Sequence, residues 1–320
     1  MTHYRPTVTP AARVALAGVV ALLAAACTST TSEESEGPST QVKGVPPVSA
    51  APTIASAADK ALPIDPYLLG FEQRDQLERA ESVLVSRCMA RFGIQYQAPP
   101  QIPTGNRPRS RTDRRYLEST AARAQANGYH AAEGDQPTAA PAPPQVSDAT
   151  RMVLTGSAAA GAKNGQGGQD YNGATVPKGG CVGETKDKLG ANPANNNGGD
   201  AQLARDIDAT ARERSKTDDR VLAVFRSWSE CMKSKGYDYA DPIKVLDDPR
   251  WTSPTPTDVE RATAVADVAC KEQTNVVGVW FTVEAAYETQ LIEQNAPALA
   301  QVRKDNEDRL RTAAQALAAG

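Results

Sequence analysis

Histidine is nearly missing from this chain: there are two in 320 residues, His3 and His130. A Ser-His-Asp relay or a histidine-ligated metal would have to rest on one of them. The motifs G-x-S-x-G, H-E-x-x-H, the P-loop and G-x-G-x-x-G are absent too, which leaves no nucleophile elbow, zincin helix or glycine-rich phosphate cradle. Aromatic residues make up only 5% of the chain, beside 23 Gly and 23 Pro. Such a composition supports a modest core broken by long loops. The net charge of −3 gives no basic field, so no nucleic-acid partner is expected. No run reaches the roughly 18 apolar residues of a spanning helix.

What is present begins at the N-terminus. Arg5 and Arg13 precede the apolar run "VALAGVVALLAAA", residues 14–26, which ends on small residues directly before Cys27. The run has the length of a signal-peptide h-region and is short for a bilayer span. The junction resembles the lipobox of bacterial lipoproteins, where cleavage falls before a diacylglyceryl-modified cysteine. Ala24 stands where that pattern usually has Leu, and Leu23 lies one position further out. The resemblance implies a lipoprotein signal peptide over residues 1–26 and a lipidation site at Cys27. It also implies palmitate-type chains in the lipid bilayer and a protein anchored to the outer face of the cell membrane. Each buried methylene contributes about 0.8 kcal/mol to such an anchor. Residues 27–62 are rich in Ser, Thr, Ala and Pro without a sustained period, and read as a disordered tether.

The remaining four cysteines are Cys88, Cys181, Cys231 and Cys270. An even number in an exported chain points to two disulfides, with three connectivities open. A repeat favours one of them. "CMARFGIQYQAP" from Cys88 and "CMKSKGYDYADP" from Cys231 both read C-M-x-x-x-G-x-x-Y-x-x-P. Upstream of the second copy, Val221, Val224, Phe225, Trp228, Cys231 and Met232 share one helical face; Leu77, Ala80, Leu84, Cys88 and Phe92 form the matching stripe in the first. Gly93 and Gly236 fall where a left-handed residue ends a helix. Thr257 and Glu260 open a further helix with a capping box, and a helical hairpin would return Cys270 to Cys231. By analogy Cys181, at the start of a short helix, returns to Cys88. Bridges Cys88–Cys181 and Cys231–Cys270 would each contribute about 4 to 5 kcal/mol. Zinc is disfavoured because C-x-x-C spacing is absent. No cofactor is expected.

The fold class expected is all-α: two helical-hairpin halves from an internal duplication, 63–190 and 200–320, each closed by a disulfide and carrying long Gly/Pro-rich loops. A single helix is expected from Ala201 through Cys231, and another from Thr257 to about Gln294. The glycine-rich run 156–180 reads as loop. The segment "NRPRSRTDRRYLE" gathers Arg107, Arg109, Arg111, Arg114 and Arg115 as a candidate anion patch, weighed against an ordinary solvated loop. His130 follows a helix-ending glycine and reads as a loop contact.

Taken together, the lipobox, the two C-M-x-x-x-G halves, the segment from Arg114 to His130 and "ADVACK" from Ala266 to Lys271 resemble an uncharacterised family of secreted actinobacterial lipoproteins. The resemblance implies an accessory envelope role and supplies no catalytic residues. The expected function is a non-enzymatic, membrane-anchored binding or scaffold protein with an envelope protein or cell-wall polymer as partner. The alternatives are a solute-binding receptor of an ABC-type transporter, which would have two α/β lobes, and a cell-wall hydrolase.

Overall fold

The computed structural model describes residues 37–97, 108, 110–117, 119–131, 145–159, 161, 165–190 and 201–319. The expected signal peptide, the lipidation site Cys27, and Arg107 and Arg109 lie outside them. Nine α-helices occur among the described residues: α1 Phe71–Arg91, α2 Ala121–Asn127, α3 Asp148–Thr155, α4 Gly180–Lys188, α5 Gln202–Lys216, α6 Asp219–Ser234, α7 Asp258–Thr274, α8 Val276–Gln294 and α9 Ala296–Ala318. The only sheet among them is a two-stranded hairpin, β1 Asp170–Tyr171 and β2 Ala174–Thr175. None of these helices is long and apolar enough to cross a membrane.

Local chemistry explains where the helices stop. The stripe expected on α6 is buried along its whole length, and Asp218 caps its start by accepting from Arg220 N. That cap divides the helix expected from Ala201 to Cys231. Asn275 divides the next one: it adopts φ 56°, ψ 39°, a left-handed conformation that Asn tolerates. The two repeat motifs end their helices identically. Ile94 N bonds to Met89 O and Gly93 N to Ala90 O; Tyr237 N bonds to Met232 O and Gly236 N to Lys233 O. Each set is a Schellman closure with glycine at φ 73° or 88°.

Both disulfides form as expected, Cys88–Cys181 and Cys231–Cys270. The helical hairpins do not. Trp228 bonds to Asp267 at the same 39-residue offset as Cys231 to Cys270, so α6 and α7 run in the same direction where they touch. Arg91 pairs with Glu184 at the 93-residue offset of Cys88 to Cys181, and α1 and α4 are likewise parallel there. A tight turn forces antiparallel neighbours, but residues 235–257 are long enough to carry the chain back before α7 begins. Residues 38–320 form one compact unit, with α1 packed on α9 and α2 on α7.

Two stretches expected to lack structure are ordered. Within the glycine-rich run, Asn172 and Gly173 (φ 52° and 77°) make the two-residue turn of the hairpin, and Asn172 Nδ2 donates to Phe92 O at the end of α1. Residues 38–62 of the expected tether lie against the helices as a strap. Val42, Val48 and Ile54 pack on the main core, while Ala57 and Leu62 are buried in it. Two asparagine side chains supply the backbone partners that the segment cannot provide for itself. Asn295 accepts from Ser39 N at 2.9 Å and donates to Ser39 O at 2.8 Å. Asn275 accepts from Ile54 N at 3.2 Å and donates to Pro52 O at 3.0 Å.

Candidate functional site

The densest chemistry lies between α5 and α8. Asp208 and Arg212 are one turn apart on α5, and Glu284 and Glu288 are one turn apart on α8; the i, i+4 spacing puts each pair on one face. The turn 110–117 closes over them, shaped by left-handed Arg114 and Leu117 at φ 61° and 59°. Its buried Tyr116 wedges edge-on between Trp280 and Phe281, so Arg111 and Arg115 face inward. Arg115 donates to Asp208 at 2.7 Å and, through Nε, to Glu284 at 2.8 Å. Arg111 reaches Asp65 at 3.3 Å and Asp208 at 3.4 Å. Arg212 pairs with Glu284 at 3.3 Å, its guanidinium 4.7 Å from the Trp280 ring centroid. Of the expected anion patch, Arg111 and Arg115 are turned to internal carboxylates, because burying Glu284 at 0% exposure requires opposite charge beside it.

Electrostatics here is uneven. Burial works against the Arg115 charge, but Glu284 and Asp208 outweigh it and hold its pKa above the ordinary value. Burial raises Glu288 most, to about 9, with the Glu284 and Asp208 charges adding to the effect and the Ile64 N–H opposing it. Glu288 is thus a neutral acid at pH 7. Its Oε2 accepts from Ile64 N at 3.0 Å, while Oε1 is buried without a hydrogen-bond partner. Asp208, Glu284 and Glu288 each bring an oxygen within 4.8 Å of the others, a donor set suited to a hard divalent cation. With Glu288 protonated, three guanidinium groups already balance Asp65, Asp208 and Glu284. The arrangement as it stands works as an ionic keystone joining α5, α8 and the 110–117 turn.

A second polar centre lies under the α2–α7 contact. His130 Nδ1 lies 2.7 Å from Glu260 Oε1 and Nε2 2.8 Å from the Ser253 carbonyl. Both neighbours are acceptors, so the imidazolium satisfies both, and the Ser253 carbonyl followed by Glu260 raises the His130 pKa. Glu260 also accepts from Tyr129 N at 2.9 Å. A Cβ at Gly128 would sit 2.6 Å from Glu260 Oε1, which explains the glycine. Thr257 Oγ1 accepts from Glu260 N, but the Glu260 side chain turns inward to His130 and leaves the expected capping box half made. Nearby, the nearly buried Lys271 pairs with Asp267 at 2.8 Å and donates to Leu117 O at 2.7 Å.

Asp208, Glu284 and Glu288 were not singled out by sequence, and Glu260 was read only as half of a capping box. A signal was present for two of them: Glu284 and Glu288 continue the i, i+4 register of buried Trp280, and a carboxylate on a buried stripe demands a partner. The chain matches no protein-family model, no curated protein and no solved structure.

Proposed function

We propose that the chain is a non-enzymatic, lipid-anchored envelope protein of the secreted actinobacterial lipoprotein kind, an accessory binding or scaffold module held at the outer face of the cell membrane through Cys27. Its partner is an envelope protein or cell-wall polymer. The observation that carries the reading is how the chemistry-bearing side chains are used. Both nitrogens of His130 and the guanidinium of Arg115 are committed to internal acceptors, leaving them to hold helices together. Two disulfides closing 93- and 39-residue separations support an oxidising compartment.

The internal duplication belongs to the same reading. Two features support it: matching Schellman closures at Met89–Ile94 and Met232–Tyr237, and a parallel helix pair stapled by one disulfide beside each. In this view the repeated motif is a repeated staple.

Metabolic labelling with an alkyne fatty acid tests the anchor. Wild type should carry the label and sediment with membranes, and Cys27→Ser should lose both properties. In-cell crosslinking should capture an envelope component with the anchored protein. Unlabelled wild type, or capture no greater than background, would remove the anchor or the partner respectively.

A further inference from the structure

The strap behaves as a bound peptide. Val42, Pro46, Val48 and Ile54 turn inward, with Ala51 half-buried beside them, while Val45 is 71% exposed. The inward positions are unevenly spaced, with Gly44 at φ 95° between the first two, and the segment itself forms no strand. Its backbone is read by side chains instead. Asn295 and Asn275 stand at the two ends of α8, and each bonds the strap through both atoms of its carboxamide. Arg220, at the start of α6, donates to Pro46 O at 2.9 Å between them. The floor is cut to fit: a Cβ at Gly278 would lie 1.9 Å from Pro52 O. A glycine in the first turn of α8 costs helix stability and is accounted for here by the close passage of a peptide backbone.

Such contacts do not depend on the strap being part of the same chain. Main-chain hydrogen bonds supply affinity and spaced apolar pockets supply selectivity, as when an extended peptide is added to an edge strand. The strap also divides in two. From Ala57 onward, Ala57, Leu62 and Ile64 enter the core; before it, the segment lies on the surface with an open outer face. Segments of that kind open at low free-energy cost while the remainder stays folded.

We infer that the groove across α6 and α8, from Asn295 to Asn275, is a peptide-binding site and that residues 38–54 are its resident occupant. The partner it fits is an irregularly extended protein segment with β-branched or proline side chains at the spacing of Val42, Pro46, Val48 and Ile54, and no charge on the inward face. The strap competes from within, at an effective concentration near millimolar, so the site is largely closed until the strap leaves. This rests on the reading of the chain as a binding module and is independent of its lipid anchor.

The probe is a fluorescent peptide of residues 38–56, titrated into the full exported chain in detergent. Strap-side changes open the groove without altering it. Ser39→Pro with Ile54→Pro removes the two N–H groups that the asparagines accept; Val42→Asp with Val48→Asp removes the apolar fit. Each pair should bind the peptide at least tenfold more tightly than wild type, and adding Gly278→Ala should abolish the gain. Circular dichroism checks that helices persist, and the two pairs serve as independent trials. If neither folded pair binds more tightly than wild type, or Gly278→Ala leaves binding intact, the inference fails, whereas fatty-acid labelling and in-cell capture would be unaffected.

Discussion

Trp228 donates its indole N–H to Asp267 at 2.9 Å, one helical turn before the bridge from Cys231 to Cys270. The disulfide and this hydrogen bond act on the same seam between α6 and α7, one covalent and one polar. Asp267 has a second donor in Lys271, and both charged side chains are only 4% exposed. Burial raises the Asp267 pKa, with Lys271 opposing the shift. Asp267→Asn would leave the Lys271 ammonium without a counter-charge, and should cost about 3 kcal/mol or more. Lys271→Met should cost less, because the remaining acid can take up a proton. Denaturant titrations of wild type, both single variants and the double variant should give a coupling energy of about 1–3 kcal/mol. Additive losses would mean that the pair does not act as a unit.

The two bridges should differ in strength. In the chain-entropy view, the 93-residue separation of Cys88 and Cys181 contributes about 5 kcal/mol and the 39-residue separation of Cys231 and Cys270 about 4 kcal/mol. Replacing each pair by Ala and measuring urea midpoints should reproduce that order. The reverse order would show that packing at the sulfur atoms outweighs loop closure.

His130 makes stability depend on pH. Its folded pKa lies above the ordinary value of 6.5, so the stabilisation is complete below the unfolded pKa and is lost as pH rises through the folded one. The groups facing it are Glu260 of α7 and the Ser253 carbonyl. Above that range the neutral ring has one proton for two acceptors, and the Ser253 turn should loosen from α7. A proton NMR titration should place the His130 pKa above 6.5, and His130→Gln should flatten stability against pH near neutrality. A value at or below 6.5 would contradict the two-acceptor geometry.

The features legible in the sequence were those set by local rules. The α6 stripe, the glycines that end α1 and α6, and the Thr257 cap depend on spacing within a few turns, and the cysteine pairing followed from the repeat. Features depending on distant partners were hidden. The strap's composition suggests disorder because its order comes from Asn275 and Asn295, 221 and 256 residues from the groups they bind. Arg111 and Arg115 look like solvated charge until α5 and α8 place carboxylates beneath them. The direction of α7 relative to α6 was equally hidden, since a long connection permits either sense. The hairpin is a different case: "YNGA" carries a short-range turn signal, and surrounding glycines masked it.

Glu288 should report on the α5–α8 keystone. It is completely buried, and its pKa is raised to about 9 from an ordinary 4.5. Between those values the folded protein holds a proton that the unfolded chain has released. Folding therefore weakens as pH rises through the window, by up to about 1.4 kcal/mol per pH unit. Glu288→Gln keeps the shape and an oxygen for the Ile64 N–H while removing the titration. At pH 5 the variant should match wild type within about 1 kcal/mol, and its advantage should grow steadily towards pH 9. Because His130 contributes a slope of the same sign, the comparison is best made in a His130→Gln background, where the remaining slope belongs mainly to Glu288. A variant that loses stability equally at every pH would mean that the buried acid is ionised and paired in the fold. In that case Arg115 and its neighbours would be balancing four carboxylates instead of three.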